Sequence, residues 1–300
     1  MSATLDLAEL KRAVGSKETA TDVVTAAQAN LLRLTFGRPE PELKDGDPLP
    51  PGWHIIYFTP RFGPGELRAD GTPASSGLMP EMPLPRRMFA GQSFRFHRPI
   101  RIGQTLRQEN ELTDISMKTG ATGTLVFTTV VSRIAGPDGL AIEDTRHIVY
   151  REEVTAGQGN QAPKREPVPP DLPWRRTITP NPVLLFRFSA LTFNSHRIHY
   201  DHEWAMKTEG YPALVVHGPL TQTLLIDFAR DHAARRTITS FTTQARAPLF
   251  DGAPFELRGR PTFGHGGRAT QDPQAPSTGA EVWAVTPEGT VAMTAQVELG

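Results

Sequence analysis

The stretches LTFNSHRIHYDHEWA (191–205) and VVHGPLTQTLLIDFARDHA (215–233) decide how this chain is read. The first sets Asn194 and His199 five residues apart in a segment with no helical or strand periodicity. Asp201 stands where it can cap a short helix over Asp201–Lys207. The second opens on Gly218 and runs into a helix over Pro219–Ala234, with Leu220, Leu224, Leu225 and Phe228 on one stripe and Gln222, Asp227 and Arg230 elsewhere. A helix start carries free N–H groups and positive partial charge. The pattern therefore couples a polar histidine loop to an end that can hold developing negative charge.

Composition narrows the field. Over 300 residues Lys+Arg and Asp+Glu are both 32, a neutral balance that argues against a chain built to coat nucleic acid. There is no cysteine, which removes thiolate catalysis, disulfides and Cys-ligated metal, and agrees with a cytoplasmic setting. Met1–Ala20 lacks the apolar core of a signal peptide, and no run approaches a membrane span. The 28 prolines and 26 glycines favour many short elements over a helical bundle.

Outward from the central stretch, Pro182–Phe193 reads as helix, and strands are expected near Thr237–Ala247, Pro254–Arg260 and Glu281–Glu298. Upstream, 18–36 reads as a helix capped by Thr21, 38–51 as loop, and Trp53–Thr59 as a strand. A long loop spans 60–87, and strands are expected over Gln92–His97, Thr105–Lys118, Thr122–Ile134 and Ala141–Glu152. Residues 155–172 hold four prolines and read as a linker between a half at 1–154 and a half at 173–300. GHGGR (264–268) has no following GK[ST] and reads as a flexible loop.

The halves look like degenerate copies. LLRLTFG (31–37) matches LLFRFSALTFN (184–194), FAG (89–91) matches VHG (216–218), and PIRIG (99–103) matches PLFDG (248–252). In this register Gly37 stands for Asn194 and Glu42 for His199, so only the second half carries chemistry, and the first half has lost the long helix.

Ile198-His199-Tyr200-Asp201 resembles the I-H-x-D part of the signature of MaoC-like, R-specific enoyl-CoA hydratases, with Asn194 where that signature has an acid and Arg197 where it has proline. Together with EGYPALVVHGPL (209–220) and LPRRMFAG (84–91), these departures resemble the branch of two-half type 2 hydroxyacyl-thioester dehydratases and mesaconyl-C4-CoA and itaconyl-CoA hydratases. The resemblance implies an α+β double hot-dog: two curved antiparallel sheets, with the long central helix kept in the second half only. It implies reversible, R-specific hydration of an α,β-unsaturated acyl thioester, with a short, possibly dicarboxylic acyl-CoA as substrate. Coenzyme A belongs to that substrate, and no separate cofactor is implied. The fused halves allow a monomer that is a pseudo-dimer, or a homodimer; neither nucleic acid nor membrane is expected as partner.

In that chemistry His199 is the base, Asn194 orients water or thioester because an amide cannot ionise, and the Gly218 N–H faces the thioester oxygen. His217 either touches substrate or packs. Arg86 and Arg87, within a basic group that includes Arg95, Arg98 and Arg101, either bind coenzyme A phosphates or a substrate carboxylate, or form a solvated face. His196, His199 and His202 are three apart, but outside a helix that spacing does not converge, and no metal is expected. The alternatives are a hot-dog thioesterase and a non-catalytic acyl-CoA or lipid binder.

Overall fold

A computed structural model of the protein describes residues 6–74, 78–84, 86–120, 123–152, 166–263 and 277–300. The 264–268 loop and most of the 155–172 linker lie outside these residues. The first part of the chain supplies helix α1 (Leu7–Lys11), strand β1 (Lys17–Val23), helix α2 (Ala26–Thr35), and strands β2 (Arg86–Phe96), β3 (Thr105–Gly120), β4 (Gly123–Gly136) and β5 (Gly139–Arg151). The second supplies β6 (Trp174–Ile178), α3 (Pro182–Leu191), α4 (Gly218–Asp231), β7 (Ile238–Ala245), β8 (Phe255–Thr262), β9 (Gly279–Val285) and β10 (Val291–Leu299).

All ten strands form one antiparallel sheet in the order β1-β3-β4-β5-β2-β7-β10-β9-β8-β6. The order is a palindrome of equivalent strands. It meets at the seam β2–β7, where Phe94 opposes Phe241 and their rings stack with centroids 6.5 Å apart. Edge-to-edge pairing at the seam satisfies the backbone groups that each half would otherwise leave open.

The internal repeat needs a different register from the sequence match of FAG with VHG. Leu49 N donates to Ile100 O, and Val216 N donates to Leu249 O; Pro48 bridges Arg101, and Val215 bridges Phe250. Leu49 therefore stands where Val216 stands, and FAG lies inside β2. The first-half counterpart of α4 is a single 3₁₀ turn, Trp53–Ile56. Pro50, Pro51 and a left-handed Gly52 (φ 84°) precede it, and a left-handed Phe58 (φ 54°) follows it closely. This corrects the strand expected over Trp53–Thr59: the aromatic and β-branched residues there fill the core and pair with no strand.

Three further corrections have local causes. The helix expected over 18–36 is β1 followed by α2; the β-branched Thr19, Thr21 and Val23 pair with β3, and the cap is Thr25, whose Oγ1 accepts from Gln28 N at 3.4 Å. Arg86 and Arg87, read as the end of a loop, begin β2. Glu281–Glu298 is a hairpin, β9 and β10, turned at Pro287-Glu288-Gly289. Strand β6 and helix α1 went unread, both being short.

Helix α4 runs 14 residues and packs against β7, β8, β9 and β10. Its apolar stripe faces that sheet, each large side chain contributing about 1.5–3 kcal/mol by leaving water. Its polar stripe is also buried. Gln222 Nε2 donates to Gln92 Oε1 at 3.2 Å, and Trp53 Nε1 donates to Asp227 Oδ1 at 3.1 Å. The amphipathic pattern marks a helix with one half of the molecule on each side. Among the described residues no helix is long and apolar enough to cross a membrane.

Candidate active site

Helix α3 delivers the histidine loop. Asn181 caps it, accepting from Leu184 N at 2.9 Å, with Pro182 at the first position. It stops where Thr192 Oγ1 turns back to Phe188 O (2.7 Å) and Phe193 adopts φ 49°. Asn194 N donates to Ser189 O at 2.8 Å, and Asn194 Oδ1 accepts from His196 N at 3.0 Å. The amide oxygen thus shapes the turn, while Asn194 Nδ2 donates to no described residue.

Asp201 is occupied elsewhere. Its Oδ1 accepts from Trp204 N at 3.0 Å, capping the next turn, and its Oδ2 accepts from Arg197 Nε and Nη2 at 3.0 and 2.6 Å. These bonds, the Trp204 N–H first, hold its carboxyl below the usual range. The Arg197 guanidinium lies 3.9 Å from the Trp204 ring centre.

His199 ends a 3₁₀ turn, Arg197–His199, and is 7% exposed. Its Nδ1 lies 2.7 Å from Val215 O. A carbonyl only accepts, so the proton sits on Nδ1 and Nε2 carries a lone pair. Burial holds the ring at a pKa of about 3, despite the Val215 bond, so the imidazole is neutral at physiological pH. Nε2 takes no hydrogen bond from a described residue and is not among the sealed, unpartnered atoms.

His217 stacks face to face on His199, centroids 3.6 Å apart. It is 1% exposed, and its Nε2 lies 2.8 Å from Ser189 Oγ. The structure places His217 behind His199, while Gly218, the next residue, opens α4. The Gly218 N–H has no acceptor among the described residues. A Cβ at 218 would stand 3.0 Å from Phe89 Cδ1, so that ring from β2 already packs on the helix start. His196 meets His199 edge to face at 5.5 Å, and burial holds its pKa at about 4. Ser189, Asn194, His196, His199 and His217 thus form a closed ring of contacts.

The first half covers this ring. Ser195 Oγ donates to Gly71 O at 2.6 Å, Arg197 N donates to Asp70 O at 2.8 Å, and Asp70 Oδ2 lies 3.9 Å from His196 Nε2. Arg86 donates to Tyr211 OH at 3.3 Å and faces Glu209 at 4.0 Å. Arg87 is exposed, its guanidinium bonds no described residue, and it stands near enough to His196 to disfavour its protonation. Donor atoms of Asp70, His196 and Glu209 lie within 4.8 Å of one another, yet Arg86 beside Glu209 and Arg87 beside His196 disfavour a cation there. Arg95, Arg98 and Arg101 join none of these contacts.

Ser189, Val215, Asp70, Gly71 and Glu209 were not singled out in the sequence. Ser189 shows as the lone hydroxyl of a helix that is apolar apart from Arg187, and Val215 acts through its backbone, which leaves no side-chain signal. A surface depression of about 320 Å³ lies elsewhere, lined by Ser93, Thr242 and Gln244 on the sheet face opposite α4.

The fold and site define a fused two-half hot-dog protein whose histidine cluster, carried by the second half, is covered by the Asp70–Gly71 loop of the first. A MaoC-like dehydratase from Phytophthora capsici superimposes with TM-score 0.65 at 16% identity, over 99% of each chain. A Mycobacterium tuberculosis protein described as a double hot-dog fold gives 0.58 at 14% identity, over 95% of this chain and 96% of that one. The chain belongs to the hydroxyacyl-thioester dehydratase type 2 family, whose sequence model matches residues 52–251. It is 44% identical over 292 residues, 96% of each chain, to the mesaconyl-C(4)-CoA hydratase of Chloroflexus aurantiacus. It is 26% identical over 232 residues, 70% of this chain and 77% of the relative, to the mitochondrial hydroxyacyl-thioester dehydratase type 2 of Schizosaccharomyces pombe. Family and fold agree with the expectation from the sequence.

Proposed function

We propose that the chain is a lyase that reversibly hydrates an α,β-unsaturated acyl-CoA thioester. The observation that carries this is the fixed tautomer of His199: Nδ1–H tied to Val215 O, Nε2 bare and neutral. Nε2 takes a proton from water as hydroxide adds to the β-carbon. The same nitrogen then delivers that proton to the α-carbon, so both new bonds form on one face and the thioester stays intact. Asn194 cannot carry a proton, and its free Nδ2–H₂ orients the water or the thioester. The Gly218 N–H, at the positive end of α4, faces the oxygen as enolate charge develops. His217 supports His199 from behind. A thioesterase would need a carboxylate base, and Asp201 is already engaged by Arg197 and Trp204 N.

Of the two arginines named from the sequence, Arg86 is held by Tyr211 and Glu209, which leaves Arg87 to receive a second carboxylate on the acyl group. The identity to a mesaconyl-C(4)-CoA hydratase supports a short dicarboxylic substrate. All ten strands of the sheet and every site residue named above come from one chain, which supports a monomer that is itself a pseudo-dimer, alone or paired as a homodimer, and we place it in the cytoplasm. The test incubates the purified protein with mesaconyl-C4-CoA and with crotonyl-CoA. Absorbance of the conjugated thioester should fall without release of thiol, faster for the dicarboxylic substrate. Arg87→Ala should raise KM for that substrate by roughly 10- to 100-fold, the worth of a charge-assisted bond, and spare crotonyl-CoA. Thiol release would make the protein a thioesterase, and no reaction would make it a binder.

A further inference from the structure

We infer that Ser189 and His217 form a buried positioning pair that fixes the plane of His199 and so aims its Nε2. The inference rests on the reading of His199 as the base. In-plane rotation of the His199 ring is set by its bond to Val215 O, but one hydrogen bond leaves the ring free to swing about that axis. The face of His217, 3.6 Å away with an interplanar angle of 19°, removes this freedom. His217 is held in turn by Ser189 Oγ at 2.8 Å and by the edge contact of Phe188 at 5.1 Å.

The His217 tautomer follows from burial. Its Nδ1 is sealed and has no partner among the described residues, and an orphan N–H is tolerated less well than an orphan lone pair. The proton therefore sits on Nε2 and is donated to Ser189 Oγ. Ser189 also accepts from Asn194 N through its carbonyl, so one residue of α3 anchors the loop and, through His217, the base. The ionisable groups facing the pair are His199 and His196, with Asp70 and Arg87 beyond His196. Two stacked imidazoles this close do not both carry a positive charge; burial first, and then the neighbouring His199 and His196, keep His217 neutral.

The test is a double-mutant cycle on Ser189→Ala and His217→Ala, read in kcat, KM and the acid limb of the pH profile. Ser189→Ala should lower kcat roughly tenfold with KM changed less than twofold, the size of one buried hydrogen bond. In the His217→Ala background it should have no further effect, because Ser189 acts through His217. Ser189→Thr, which keeps the hydroxyl, should restore most of the loss. In both Ala variants the acid limb should move up toward the ordinary histidine range, as water reaches His199. Ring ¹⁵N spectra of His199 should show the Nδ1–H tautomer in the parent protein and a mixture in Ser189→Ala. These spectra need no turnover, so a parent protein that hydrates nothing would sink the functional reading alone. If His217→Ala melts early, Ser189→Ala and Ser189→Thr carry the test. The inference is overturned if Ser189→Ala leaves kcat and the His199 tautomer unchanged, or loses as much in the His217→Ala background as alone.

Discussion

The carbonyl oxygen of Val215 stands 2.7 Å from Nδ1 of His199, and the N–H of the same Val215 bonds Ile198 O at 2.9 Å. The segment entering α4 is thus laced to the histidine turn through both backbone groups of one residue. Whatever moves the start of α4 moves the base with it. Gly218 follows three residues after Val215, so acid–base group and helix start keep a fixed spacing.

His199→Ala should reduce hydration by ~10²–10⁴-fold while the melting temperature stays near that of the parent. Asn194→Asp should keep measurable turnover and add a second ionisation to the pH profile. Asp201→Ala removes a cap and should cost about 1 kcal/mol of stability rather than turnover. Near-normal turnover in His199→Ala with a folded but dead Asp201→Ala would move the base to Asp201.

Stability should fall with acid before the carboxylates titrate. His54 is buried among Phe94 and Phe96 and held at a pKa of about 3 by burial, with Arg146 acting in the same direction. Its folded value is depressed, so its contribution is complete above the unfolded value near 6.5 and is lost as pH falls toward 3. Each pH unit in that window costs up to about 1.4 kcal/mol for such a histidine. His196, His199 and His217 act in the same direction. The melting temperature should drop between pH 7.5 and 5.5, and less so in His54→Phe. The surviving folded enzyme should keep its kcat over that range, because His199 stays unprotonated. A flat melting profile would show that these rings are not buried neutral.

Gly71→Ala should disable the site more than the fold. Gly71 has φ +82°, and a Cβ there would stand 1.9 Å from Ser195 O. The clash must lift the loop carrying Asp70 and Gly71 from the histidine turn, breaking the bonds to Ser195 Oγ and Arg197 N. We expect kcat/KM to fall at least roughly tenfold, with about 1–3 kcal/mol lost in urea unfolding. Unchanged kinetics would mean that this loop plays no part in catalysis.

Asp227→Ala should loosen the two halves. Asp227 accepts from Trp53 Nε1 and pairs with Arg230 at 3.1 Å, and Arg230 also reaches Glu40. Removing a buried carboxylate between such partners should cost about 2–3 kcal/mol, less than a sealed pair because Arg230 is partly exposed. Asp227→Asn keeps an acceptor for Trp53 and should cost less. Urea unfolding measures both; equal midpoints for parent and Asp227→Ala would show that this contact does not clamp the halves.

The sequence by itself determined what is local. Strand β3 follows from its alternation and β4 from its β-branched run, α3 and α4 from apolar spacing and their starts, and the family from the spacing of Asn194, His199 and Gly218. Asp201 was legible as a cap because a cap bonds within its own turn. Trp53–Ile56 was misread because its apolar content serves a tertiary core, and a strand and a buried turn look alike until a partner is known. Only the tertiary structure decided that the polar side of α4 is buried, that Arg86 is engaged while the Arg87 guanidinium bonds none of the described residues, and that His217 stands behind His199. Each of these depends on groups distant in sequence meeting in space. The carbonyl of Val215 that sets the His199 tautomer is a backbone group, which every residue carries, so only folding gives it a partner.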